Sequence, residues 1–119
     1  MTQALIVHSK QPLMERICDS VAKLDAEIGV DHALLFGSTA KGKRHRNSDV
    51  GIIIVSSTFE GMPEPKRWGL LQNMWNYIEE LETLAYTPDE FTQVKERFLM
   101  QKILAYAVDL TPRKSVAYP

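Results

Sequence analysis

The chain has 119 residues, a net charge of -1 at pH 7 and a single cysteine, Cys18. That length fits one domain able to bury a core without disulfide or metal staples, so one domain over 1–119 is expected. The near-neutral balance gives no global pull toward nucleic acid or an anionic membrane, and one cysteine excludes a disulfide framework and a multi-cysteine zinc site.

The opening "MTQALIVHSK" has no basic start, and its apolar run is too short for a signal peptide. No apolar run approaches the ~20 residues of a membrane span, so a cytoplasmic protein with no membrane partner is expected. "ALIV" (Ala4 to Val7) fits either a strand or the start of a helix, and Pro12 suits a first helical position. Leu13, Ile17, Val21, Leu24 and Ile28 recur at helical spacing and predict a helix over 13–28, stopped by Gly29. Cys18 lies among the apolar residues of this stretch and reads as a small buried side chain.

"HALLFGS" reads as a buried strand entering a tight turn at Gly37-Ser38. "TAKGKRHRNS" is too polar for a core and reads as a turn or one short helical turn. "DVGIIIVS" is the strongest strand pattern, with β-branched residues in series and an unbroken apolar character that predicts burial on both faces. "STFEGMPEP" is a loop. Trp68, Leu71, Trp75 and Ile78, with Met74 alongside, predict an amphipathic helix with these residues in the core.

"LETLAY" reads as a third strand. In "TPDEF", Thr87 is an N-cap, Pro88 a first helical residue and Glu90 the reciprocal partner of a capping box. The helix that follows is expected to run through Phe91, Val94 and Phe98. "ILAYAVDL" either extends it or adds a short strand, and "TPRKSVAYP" reads as a loose tail. The order predicts an α+β (or α/β) domain with a small mixed β-sheet flanked by helices.

One stretch carries chemistry. A Gly-Ser turn after a strand exposes backbone N–H groups and a hydroxyl to a phosphate, and glycine allows close approach. Carboxylates on a neighbouring strand suit Mg²⁺, a hard cation that shares its coordination with substrate phosphates. Side chains alternate along a strand, so positions 49 and 51 share a face. An Asp-x-Asp there would aim two carboxylates at one metal pair. Asp49 is present; the other position is Gly51.

The segment "GSTAKGKRHRNSD", Gly37 to Asp49, resembles the Gly-Ser, ten residues, Asp-x-Asp signature of the polymerase-β-like nucleotidyltransferase superfamily, and its small single-domain "minimal" members most of all. "LETLAYTPDEF" resembles the family's third strand and its ending, and the resemblance spans roughly residues 33 to 98. It implies a nucleotidyltransferase-like fold and Mg²⁺-dependent transfer of a nucleotidyl group, AMP from ATP foremost, onto a hydroxyl. Gly37, Ser38 and Lys41 would meet the triphosphate, and Asp49 would be the first metal carboxylate. Glu82 would be the third, a glutamate where aspartate is commoner, with Glu80 as the alternative. Glu82 would also inherit help in activating the acceptor hydroxyl.

The second family carboxylate falls on Gly51, the departure that matters. It fits weakened or absent transferase activity, activity retained with other ligands, or a peculiarity of this sequence; glycine in a strand also marks close backbone approach. The basic run Lys41, Lys43, Arg44 and Arg46 fits either a phosphate- or RNA-facing rim or a solvated loop. His8 and His32 lack metal-like spacing, so zinc is not expected. A chain this short barely exceeds the catalytic core, so the resemblance also implies a partner: a HEPN-type helical protein, as in toxin–antitoxin pairs, or a second copy in a homodimer. In that second reading the chain is a catalytically weak or inactive nucleotide-binding module.

Overall fold

The computed structural model describes residues 13–37, 50–74 and 81–112. Helix α1 spans Leu13–Ile28, strand β1 His32–Phe36, strand β2 Val50–Val55, helix α2 Glu64–Met74, strand β3 Leu81–Tyr86, helix α3 Pro88–Val94, helix α4 Phe98–Leu104 and strand β4 Val108–Asp109. The strands form one sheet in the order β3-β2-β1-β4. Strand β1 is antiparallel to both β2 and β4, whereas β2 and β3 are parallel. The expected mixed sheet flanked by helices is the observed fold.

Strand β2 is apolar without interruption because both its faces are covered. Ile52 and Ile54 join Ala33, Leu35, Phe59, Leu71 and the inward face of α1 (Ile17, Val21, Leu24) in one core. Ile53 and Val55 point the other way, into a second core with Phe36 and Met100, flanked by Phe91, Val94, Ile103 and Leu104 from α3 and α4. The alternation of strand side chains divides the two.

Two expectations fail for one geometric reason: successive helical residues lie about 100° apart. Cys18 is exposed, because Ile17, Val21 and Leu24 set the inward face of α1 and Cys18 is turned off it. Trp68 is 59% exposed, because Arg67 and Leu71 take the inward face of α2. The single helix expected through Phe91, Val94 and Phe98 is two helices, and Phe98, at the start of the second, is 72% exposed. Arg97 is extended between them (φ -73, ψ 146), and α4 restarts with Met100 turned inward. "ILAYAVDL" does both expected things, ending α4 and adding β4. The tail is anchored at its start, where the Ala33 N–H donates to Thr111 Oγ1 at 3.0 Å.

The capping box is as predicted: the Glu90 N–H donates to Thr87 Oγ1 at 3.1 Å, and the Thr87 N–H donates to Glu90 Oε1 at 2.9 Å. The Glu90 carboxylate also receives Arg67, a buried guanidinium that donates to the carbonyls of Phe59, Met62 and Ala85 as well. These bonds pin α2 to the β3–α3 corner. Beside this corner, buried Ser56 donates to Gly29 O at 2.5 Å and accepts from the Thr58 N–H at 3.1 Å, joining the end of β2 to the end of α1.

Among the described residues, no helix is long and apolar enough to cross a membrane.

Candidate nucleotide site

The described positions of the site expected from sequence, Gly37, Gly51 and Glu82, lie at one end of the sheet. There β1 ends at Phe36, β2 begins at Val50 and β3 begins at Leu81. Gly37 leaves β1 with φ 90, a left-handed conformation that only glycine adopts freely. The predicted turn therefore begins where expected. Ser38, Lys41, Asp49, Glu80 and the basic run through Arg46 lie outside the described residues, as do Trp75 and Ile78.

Two of the sequence-derived positions come together. Gly51 is the register partner of Glu82 across the parallel β2–β3 ladder. It is also the register partner of Phe36 across the antiparallel β1–β2 ladder. Residues opposite one another in a ladder share a face, so Phe36, Gly51 and Glu82 form a row across three strands. Burial agrees, since Phe36, Ile53 and Val55 belong to one core with Leu84 and Tyr86 beside them. The row sits at the rim of that face, where Glu82 is exposed to solvent.

The Gly51 position is not an open place in this row. A Cβ built on Gly51 would fall 2.6 Å from Phe36 Cε2, 2.7 Å from Cζ and 2.9 Å from Cδ2. Real Cβ atoms do not approach other atoms so closely, so the backbone of residue 51 is covered by an aromatic ring. This is the close approach a strand glycine marks.

A metal centre of three carboxylates does not fit the residues here. At the second position the donor is missing and its space is filled by carbon. Among the described residues, no group of three or more His, Cys, Asp or Glu side chains is placed to hold an ion. Among the described residues of this rim, the exposed carboxylate is Glu82, on the strand beside the one that Asp49 precedes.

Next to the row is a cleft of ≈ 260 Å³ lined by Phe36, Gly37, Lys102, Ile103 and Tyr106. It sets one lysine and one aromatic side chain of the α4 region beside the Gly37 turn. Sequence reasoning does not find this wall, because "ILAYAVDL" (Ile103 to Leu110) reads only as a helix extension or a short strand and Lys102 carries no reading of its own. Phe36 was missed as a site residue too. The signal lay in an aromatic before the Gly-Ser turn and a glycine inside the next strand, but it becomes legible only once the register is known. A smaller cavity of ≈ 110 Å³ lies elsewhere, among Glu64, Arg67, Trp68 and Thr83 to Tyr86.

The fold agrees with comparison to known proteins. The chain matches the family described as nucleotidyltransferase domain over residues 14–117, and it belongs to that family. Among solved structures it is similar to a protein from Sulfolobus solfataricus whose name marks it as a candidate nucleotidyltransferase, with 16% identity, a TM-score of 0.60, and 87% of this chain and 83% of that one covered. It is also similar to a chain in a structure described as "the toxin-antitoxin with AMP-PNP", with 19% identity, a TM-score of 0.59, and 83% and 76% covered. At these identities the likeness concerns the fold. No curated protein matches the chain at a significant level.

Proposed function

We propose that residues 1–119 form a single cytoplasmic nucleotidyltransferase domain that binds a nucleoside triphosphate, ATP foremost, at the Gly37 end of the sheet. The observation that carries this reading is the register at that end, which brings the Gly37 turn, residue 51 and Glu82 to one rim. Backbone N–H groups of the turn, with Ser38 and Lys41, would receive the triphosphate. Asp49 and Glu82 would share a Mg²⁺ ion with its phosphate oxygens. Bound there, the ion would neutralise phosphate charge. In the transfer itself, an acceptor hydroxyl oxygen would attack the α-phosphorus and pyrophosphate would leave. Glu82 would take the hydroxyl proton, and the remaining contribution of the chain would be positioning.

A second reading has its own support: a nucleotide-binding module of low or no turnover that works through a partner. The covered Gly51 position favours it, and so does the similarity to a chain from a toxin–antitoxin structure described with AMP-PNP. A HEPN-type helical protein or a second copy of this chain would then supply the missing surface.

One experiment tests the shared core of both readings. ATP is titrated into the protein by calorimetry with and without Mg²⁺, in wild type and in Glu82→Gln. Magnesium-dependent binding weakened by Glu82→Gln is expected; absence of any magnesium-dependent binding sinks both readings. Transfer of label from ATP to an added partner then separates enzyme from module.

A further inference from the structure

We infer that Phe36 and Gly51 act as a coupled pair, in which the Phe36 ring plugs the place of the second carboxylate and thereby keeps the neighbouring cleft open. Three ring atoms lie within 2.9 Å of where a Cβ of residue 51 would stand. Phe36 is 8% exposed and packs against Ile53, Val55 and Met100, so it is held on its inner side. Its remaining side borders the ≈ 260 Å³ cleft formed with Gly37, Lys102, Ile103 and Tyr106. Among the described residues, the side of the ring away from Ile53, Val55 and Met100 is the cleft, so a side chain at 51 would drive the ring into it.

A carboxylate at 51 and an open cleft beside the Gly37 turn therefore exclude each other while residue 36 is phenylalanine. Gly51 is then more than a ligand removed from the row. It is the partner that lets an aromatic ring close over the strand, the arrangement by which aromatic side chains cover cross-strand glycines. It follows that Gly51→Asp alone does not rebuild a metal carboxylate, because the new side chain enters occupied space. Rebuilding requires a smaller residue at 36 as well.

A double-mutant cycle on thermal stability tests the pair directly. Its corners are wild type, Gly51→Ala, Phe36→Val and the double variant. Valine suits a strand and lacks all three of the clashing ring atoms. Gly51→Ala is expected to lower Tm when residue 36 is phenylalanine and to leave it unchanged or raise it in the Phe36→Val background. Equal Tm shifts in both backgrounds overturn the proposal, as does a Gly51→Ala that is stabilising beside Phe36. If Phe36→Val does not fold, Phe36→Leu, which lacks Cε2 and Cζ, takes its corner with the same expectation.

A second arm rests on the nucleotide-site reading and follows Mn²⁺ binding in the presence of ATP by electron paramagnetic resonance. Gly51→Asp is expected to bind no more tightly than wild type, and Gly51→Asp with Phe36→Val at least tenfold more tightly. A single variant as tight as the double overturns the plug. A coupled stability cycle with no Mn²⁺ binding by any variant upholds the plug and removes the metal site, so the two failures are distinguishable.

Discussion

The guanidinium of Arg67 donates to both carboxylate oxygens of Glu90, at 2.7 and 3.2 Å, in a two-pronged bond between α2 and α3. Arg67 is buried, and the Glu90 side chain is 45% exposed. Paired charges and fixed fork geometry make such a bond stronger than a neutral one. The Arg67 fork also donates to three backbone carbonyls, and its guanidinium lies 5.6 Å from the centre of the Phe59 ring. One side chain thus holds together the 3₁₀ turn Ser57–Phe59, the start of α2, the end of β3 and the cap of α3.

Arg67→Lys is expected to be costly although it keeps the charge, because an ammonium cannot reproduce the fork. At least one buried carbonyl loses its donor, and a loss of about 1–3 kcal/mol is expected. Urea denaturation measures it; a midpoint unchanged from wild type would refute this account of the corner.

Glu90 gives the same corner a pH dependence. The hydrogen bond from Arg67, and then that from the Thr87 backbone, hold the Glu90 carboxyl below its ordinary range. Its folded pKa is lower than its unfolded one, so its contribution is fully present above the unfolded value, about 4.3, and is lost as pH falls through the folded value. Stability measured from pH 7 down to pH 3 should fall less steeply for Glu90→Gln than for wild type. Parallel curves would show that Glu90 adds nothing to the acid limb.

Ser56 bridges the ends of β2 and α1 from a fully buried position. Ser56→Ala removes the donor to Gly29 O and the acceptor for the Thr58 N–H. The expected loss is about 1–2 kcal/mol, since both a turn cap and a buried hydrogen bond disappear. Amide exchange gives the local readout: the Thr58 N–H should lose protection in the variant, and retained protection would count against the bridge.

Glu82 is exposed, so Glu82→Gln should leave the melting temperature within about a degree, as for a typical surface change. The same variant is expected to weaken magnesium-dependent ATP binding by about tenfold, the loss of one carboxylate ligand. A variant that binds ATP as wild type does would move the metal role to Glu80 or away from β3.

Much of the architecture could be read from sequence because it depends on local chemistry. The spacing of Ile17, Val21 and Leu24 predicts a helix, the β-branched run after Asp49 predicts a doubly covered strand, and Thr87-Pro88 with Glu90 marks a helix start; each element is present. What could not be read depends on which strand lies beside which. Phe36 and Gly51 are fifteen residues apart in sequence, and neither alone announces the other; only the antiparallel register places the ring over the glycine. The break at Arg97 escaped for another reason. Phe91, Val94 and Phe98 keep helical spacing, and nothing in the spacing alone shows where the chain stops using it.

The parallel pairing of β2 with β3 also bears on the order in which the site comes into being. Antiparallel strands can be joined by a tight turn, but parallel ones need a crossover, which here runs through α2. Residues 51 and 82 meet only when that intervening segment has closed, and closing it costs chain entropy before any strand pairing returns it. During synthesis the β1–β2 pair, with the Phe36 ring already over Gly51, can form before Glu82 has left the ribosome. This chain order lets the aromatic cover of Gly51 form within the β1–β2 pair before the Glu82 carboxylate is brought beside it.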